Sequence, residues 1–169
     1  MSTYRRRLAA IASRYIMGID FSKQPDNEIW YITGDNNVLN YTENRPLIGQ
    51  YGSQSGLSVV SNVIEDGIGK VKYNTTITRL GEAAYVSTKS NQKILLISLP
   101  KTLTVVAPFC FRYGQYNVLQ NLVINNISAN KSILPLQKNH LNGIENIFVM
   151  PGYSKHYNYL TEINQSNII

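Results

Sequence analysis

The chain has 169 residues, 43% of them hydrophobic and only 15% charged, with a net charge of +6 and one cysteine. That length suits one compact domain with a real core, and the excess of apolar over charged residues excludes an intrinsically disordered chain. A single cysteine excludes an internal disulfide framework, and no run of about eighteen apolar residues offers a membrane-spanning helix.

Residues 1–24 read as a basic N-terminal anchor arm. Arg5, Arg6, Arg7, Arg14 and Lys23 against Asp20 place +4 of the +6 in the first 23 residues. The run Arg5-Arg6-Arg7-Leu8-Ala9-Ala10-Ile11-Ala12 starts like a secretory signal, but Arg14 interrupts the apolar stretch short of an h-region of about seven residues. A retained arm is therefore expected. Leu8, Ile11, Tyr15 and Ile19 recur at spacings of three and four with arginines beside them, which suits a short helix or an extended anchor. Such an arm fits an acidic protein surface, packaged nucleic acid, or a solvated terminus with no partner. No basic surface interleaved with aromatics follows, so nucleic acid is possible but not favoured.

Residues 25–67 read as a capping hairpin and a polar loop. Pro25 ends the arm, Ile29 and Tyr31 alternate with Trp30 and Ile32, Gly34-Asp35-Asn36-Asn37 supplies a turn, and Val38-Leu39 starts the return. Trp30 is expected to cover the open end of the following repeats. Asp35-Asn36-Asn37 follows from turn chemistry, because no carboxylate at loop spacing completes a calcium site. Tyr41 to Ser61 is polar, glycine-rich and aperiodic, and is expected to form a variable contact surface. Glu65-Asp66-Gly67 makes a tight turn into the next segment.

Residues 68–151 carry one apolar pattern four times: Ile68, Val71, Tyr73; Ile94, Ile97, Leu99; Leu119, Leu122, Ile124; Ile144, Ile147, Val149. The first members are 26, 25 and 25 residues apart. A period of this length with an L-x-x-L-x-L core marks a leucine-rich-repeat solenoid, whose stacked units bury a face that one unit cannot bury alone. A second ladder lies between the strands, where Ile77, Leu80, Gly81 and Tyr85 match Leu103, Val106, Ala107 and Phe111 at an offset of 26. The expected repeat core includes Ile97, Leu99, Leu103, Val106, Phe111, Leu122, Ile124, Ile147 and Val149. Cys110 lies within this pattern and is expected to be a buried structural thiol.

The segment from Ile94 to Phe111, Ile-Leu-Leu-Ile-Ser-Leu-Pro-Lys-Thr-Leu-Thr-Val-Val-Ala-Pro-Phe-Cys-Phe, resembles the unit L-T-S-I-T-I-P-x-S-V-T-S-I-G-x-x-A-F of the BspA-like leucine-rich repeats. Asn27 to Asp35 is similar to the E-I-W-Y-T-T-x-D-G opening that often precedes such repeats, and Ile147 to Tyr157 to their closing cap. Asn125 to Asn142 departs from the unit, so an irregular back side is expected for the third coil. The resemblance implies a mainly β fold: a short leucine-rich-repeat solenoid of about four coils with an N-terminal β-hairpin cap, a C-terminal cap and a basic arm. It also implies that residues 152–169 form the C-terminal cap and tail, with Tyr157 as the lid of the last coil. Asn164 to Ile169 could insert into a neighbour, because two terminal isoleucines gain little in solvent.

Residues suited to catalysis are scarce. His140 and His156 lie in unlike settings, and no nucleophile elbow, Walker loop or paired carboxylate occurs, so no catalytic residue, cofactor or metal is expected. Lys72, Ser98, Val123 and Phe148 are expected at exposed strand positions and form no aromatic row for a saccharide or peptide. Repeats of this family are common in gut Bacteroidetes and their bacteriophages. The expectation is thus a non-enzymatic structural protein of a phage virion, as capsid decoration, head fibre or tail-associated protein. It would be a homo- or hetero-oligomer in a large assembly, meeting other virion proteins through its arm and residues 41–61. The alternative is a secreted BspA-like surface adhesin of a gut bacterium.

Overall fold

The computed structural model describes residues 18–39, 47–49, 51–82, 84–85, 94–107, 110, 121–125, 146–149 and 167–168. These residues are mainly β, with one 3-10 turn at Phe21–Lys23. The strands are β1 Glu28–Thr33, β2 Val59–Glu65, β3 Ile68–Tyr73, β4 Arg79–Leu80, β5 Ile94–Leu99, β6 Val105–Val106, β7 Asn121–Ile124, β8 Asn146–Val149 and β9 Asn167–Ile168. Among the described residues, seven form one mixed sheet in the order β2-β3-β1-β5-β7-β8-β9, and β4 pairs with β6 in a second, two-stranded sheet.

The sequence period reappears as hydrogen-bonding register. β5, β7 and β8 run parallel with Leu96 opposite Asn121 and Asn121 opposite Asn146, a step of 25 residues each time. The same ladder aligns Ile97 with Leu122 and Ile147, and Leu99 with Ile124 and Val149. In the second sheet Leu80 lies opposite Val106 and Arg79 opposite Val105, an offset of 26. A one-residue slip would turn each apolar row to the other face, so the repeated pattern enforces this register.

The N-terminal side differs from expectation. Val38-Leu39 does not return along β1; instead β1 lies between β3 and β5, antiparallel to both, with Ile29 opposite Val71 and Tyr31 opposite both Gly69 and Ile97. An interior position gives β1 hydrogen-bonding neighbours on both sides, and a two-residue return would supply only one short neighbour. Leu39 is held by side chains: its N–H donates to the Tyr31 hydroxyl (3.1 Å), and its carbonyl accepts from Asn62 Nδ2 (3.0 Å). The first repeat strand, β3, therefore does not stack directly on the second, β5. The hairpin of this region is β2–β3, closed by Asp66 and Gly67 with φ of 52° and 78°. Two successive positive φ values are what a two-residue hairpin turn needs to match strand twist.

One face of the large sheet and the β4–β6 layer enclose the core. Ile29, Tyr31, Val71, Tyr73, Ile97, Leu99, Leu122, Ile124 and Ile147 meet Ile77, Leu80, Leu103, Val106 and Cys110 there, all essentially without solvent contact. Of the other expected core residues, Val149 occupies β8 opposite Ile124, and Phe111 lies outside the described residues.

The opposite face is also apolar, which corrects a second expectation. Ser98 and Val123 are buried and Phe148 is half-buried, whereas Lys72 is exposed as anticipated. Ile32, Leu96 and Val123 form a second cluster packed by Ile19, Phe21, Leu95 and Phe148. A bulge makes this possible. Ile32 pairs with Leu96 and Thr33 with Ile94, leaving Leu95 as the extra residue, so Ile94 joins the main core while Leu96 joins the second face. The cover comes from Ile19 and Phe21, within the segment assigned above to the anchor arm.

The tail also differs from expectation. Asn167–Ile168 forms β9 parallel to β8, with Ile168 opposite Ile147, and so pairs within its own chain.

Candidate functional site

The N-terminal segment is fastened by a buried polar knot. Asp20 caps the 3-10 turn by accepting from the Ser22 amide at 3.2 Å, and the Ser22 hydroxyl and amide hold its carboxyl below the usual range. Four residues on, the Gln24 side chain enters the sheet. Its Nε2 donates to the carbonyls of Glu28 (2.8 Å) and Ser98 (2.9 Å), while its Oε1 accepts from Ser98 Oγ (2.5 Å) and Asn125 Nδ2 (2.9 Å). Asn125 Nδ2 also reaches Ser98 Oγ at 3.1 Å. The knot is buried and joins three stretches distant in sequence, and a satisfied polar network of this kind fixes one arrangement of its elements. Gln24→Ala should leave Ser98 and Asn125 with buried groups unpaired and destabilise the fold by about 2–4 kcal/mol, read as a lowered urea midpoint. An unchanged midpoint would show that water replaces the amide.

Trp30 belongs to this face and not to the end of the repeats. It lies in the interior strand β1, opposite Lys70 on one side and Ser98 on the other. Its ring meets Phe21 at a centroid distance of 6.2 Å, Lys70 Nζ stands 5.7 Å from the ring centre, and Nε1 donates to Glu28 Oε2 at 2.8 Å. The expected end cap is corrected accordingly.

The covering element at the N-terminal end is the described part of the polar loop. Leu47 and Leu57 are buried in the main core. Gly81 N–H donates to the Ile48 carbonyl (2.9 Å) and Glu82 N–H to that of Tyr51 (2.8 Å). Gln54 Oε1 accepts from the amide (2.8 Å) and hydroxyl (2.9 Å) of Thr78, its Nε2 donates to the Thr76 carbonyl (2.9 Å), and Asn74 Nδ2 donates to the Gly56 carbonyl (2.9 Å). Residues 47–57 are thus laced to the first turn of the second layer. From this closed end project Tyr51 with 69% of its surface exposed, and Val60 and Val63 of β2 with 61% and 40%. These are the large apolar side chains that the described surface offers to a partner.

The chemistry beneath is inert. Tyr73 donates to the Leu47 carbonyl (2.8 Å), which leaves Tyr85 to donate to Tyr73 across 2.6 Å. Burial pushes both phenols and the neighbouring Cys110 thiol far above their ordinary ranges, so all three stay protonated. A thiol kept in that form is not a nucleophile. Among the described residues no group of His, Cys, Asp and Glu is placed to hold a metal ion, and no helix is long and apolar enough to cross a membrane. Asp26 Oδ1 is buried without a hydrogen bond, with Lys101 Nζ at 3.8 Å as its charge partner.

Arg5, Arg6, Arg7, Leu8, Ile11, Arg14 and Tyr15 of the arm, and the lid residue Tyr157, lie outside the described residues. The residues that sequence reasoning missed are Gln24, Ser98 and Asn125. A polar residue between apolar ones in a strand reads as solvent-facing, and only the cover supplied by residues 19–24 makes it a buried anchor. Compared with known family models, curated proteins and solved structures, the chain matches none.

Proposed function

We propose that this chain is a non-enzymatic structural protein of a bacteriophage virion, built as a short BspA-like leucine-rich-repeat solenoid that presents protein-binding surfaces. One observation carries the reading: parallel strands align Ile97, Leu122 and Ile147 one sequence period apart, and Leu80 and Val106 repeat that step in a second layer. Units that bury a shared core in this way make a stiff spacer, because each is held by its neighbours. The solenoid supplies rigidity, the basic residues 1–17 attachment, and the end bearing Tyr51, Val60 and Val63 lateral contact. Residues 19–24 belong to the folded body, so the attachment segment is shorter than the sequence suggests. A virion role rests on the resemblance of the Ile94 to Phe111 unit to repeats common in phages of gut Bacteroidetes.

Mass spectrometry of purified extracellular particles and of cell fractions from the source culture tests this. The expected result is recovery of the chain in stoichiometric amounts with phage particles. Recovery from the cell envelope, with none in particles, would replace the proposal with the surface-adhesin reading.

A further inference from the structure

β2 is the outer strand of the large sheet; among the described residues it pairs with β3 and nothing lies along its other edge. An unpaired edge is a template for another strand, and proteins that must stay single protect it with lysine, proline, inward charges or brevity. Val59-Val60-Ser61-Asn62-Val63-Ile64 has six uncharged residues, no proline, and two exposed valines, with one bulge at Val60 as its interruption. We propose that β2 of one chain pairs antiparallel with β2 of a second copy across a two-fold axis at Asn62.

The strand's own layout favours that occupant. Turned about Asn62, it sets Ser61 against Val63 and Val60 against Ile64, apolar or neutral on both sides, so no like charges meet. Ser61 and Val63 lie opposite Lys72 and Lys70 and share their face; Asn62 and Ile64 lie opposite Val71 and Gly69 and share the core face. The pairing therefore extends both layers of the sheet without turning a residue over. Glu65, just past the paired stretch, falls at the far end of the second copy's strand, where Lys72 of that copy projects from the same face. Opposite charges thus bracket the neutral segment at both ends. A two-fold contact of this kind closes on itself and gives a dimer, not a filament. The inference does not depend on a virion role.

Sedimentation over a wide range of concentration should show a monomer–dimer equilibrium for the full chain. Val63→Lys, at an exposed site, should shift it to monomer, whereas Val63→Thr, which keeps β-branching, should preserve the dimer. Mixing Ser61→Cys chains with Val63→Cys chains under oxidation should cross-link the unlike pair in excess over either like pair, a readout that holds even if Val63→Lys folds poorly. The native Cys110 is buried and stays out of this reaction. A monomer at every concentration would overturn the proposal, as would a dimer that tolerates Val63→Lys or cross-links like pairs equally well.

Discussion

Leu122→Asp is expected to abolish cooperative folding. Leu122 is fully buried and lies between Ile97 and Ile147 in a parallel ladder, with no basic group among the core residues around it. A carboxylate placed there either ionises without a partner or protonates at a cost, and the lost apolar contacts add to the penalty; together these amount to several kcal/mol. A domain of this size has only about 5–15 kcal/mol in total. Cys110 offers a direct readout, since it is the sole cysteine and is buried in the same core. The native chain should resist a thiol reagent, and the Asp variant should react as fast as urea-unfolded protein. Leu122→Met, near in volume, should keep the thiol protected and cost less than about 1.5 kcal/mol. Protection of Cys110 in the Asp variant would mean that the core tolerates a polar residue in its central row.

Gly49→Ala is the second large effect. Gly49 has φ of +94°, outside even the small left-handed region that other residues visit, and a Cβ there would overlap the backbone of Gly81. That neighbour cannot withdraw freely, because the amides of Gly81 and Glu82 bond to Ile48 and Tyr51 of the same loop. Strain and overlap together should cost about 3 kcal/mol or more and lift residues 47–57 away from the first turn of the second layer. Gly52→Ala is the matched control, with φ of +68° but nothing near its added methyl, and should cost about 1 kcal/mol. Urea midpoints separate the two, and amide exchange at Gly81 and Glu82 should rise in the Gly49 variant alone. Equal losses in both would reduce the effect to backbone strain.

How far the sequence could be read follows from where its signals come from. The steps of 25 between Leu96, Asn121 and Asn146 and of 26 between Leu80 and Val106 are legible because burial of a shared face demands the same apolar spacing in each unit. The Asp66-Gly67 turn is legible because few residues accept two positive φ values in succession. Insertion of β1 between β3 and β5 leaves no such trace: antiparallel pairing is a choice among partners, and Ile29 and Tyr31 alternate identically beside either. The bulge at Leu95 hides a change of face inside an unbroken apolar run, where alternation carries no information. Gln24 illustrates a third limit. Its meaning depends on Ser98 and Asn125, 74 and 101 residues away, and nothing local marks a glutamine that will be buried.

The position of β1 also bears on how such a chain can change length over evolutionary time. Its antiparallel contacts with β3 and β5 tie the N-terminal half to one fixed order of strands, so a duplicated unit between Tyr73 and Ile94 would separate β1 from one of its two neighbours. Beyond β5 the arrangement is permissive. β7 and β8 repeat the same parallel register, and gain or loss of one whole 25-residue unit there leaves every remaining strand with an equivalent neighbour. Tandem duplication is therefore confined to the side of the sheet after Leu99, and relatives of this chain should share its first hundred residues in length while differing after them by whole units.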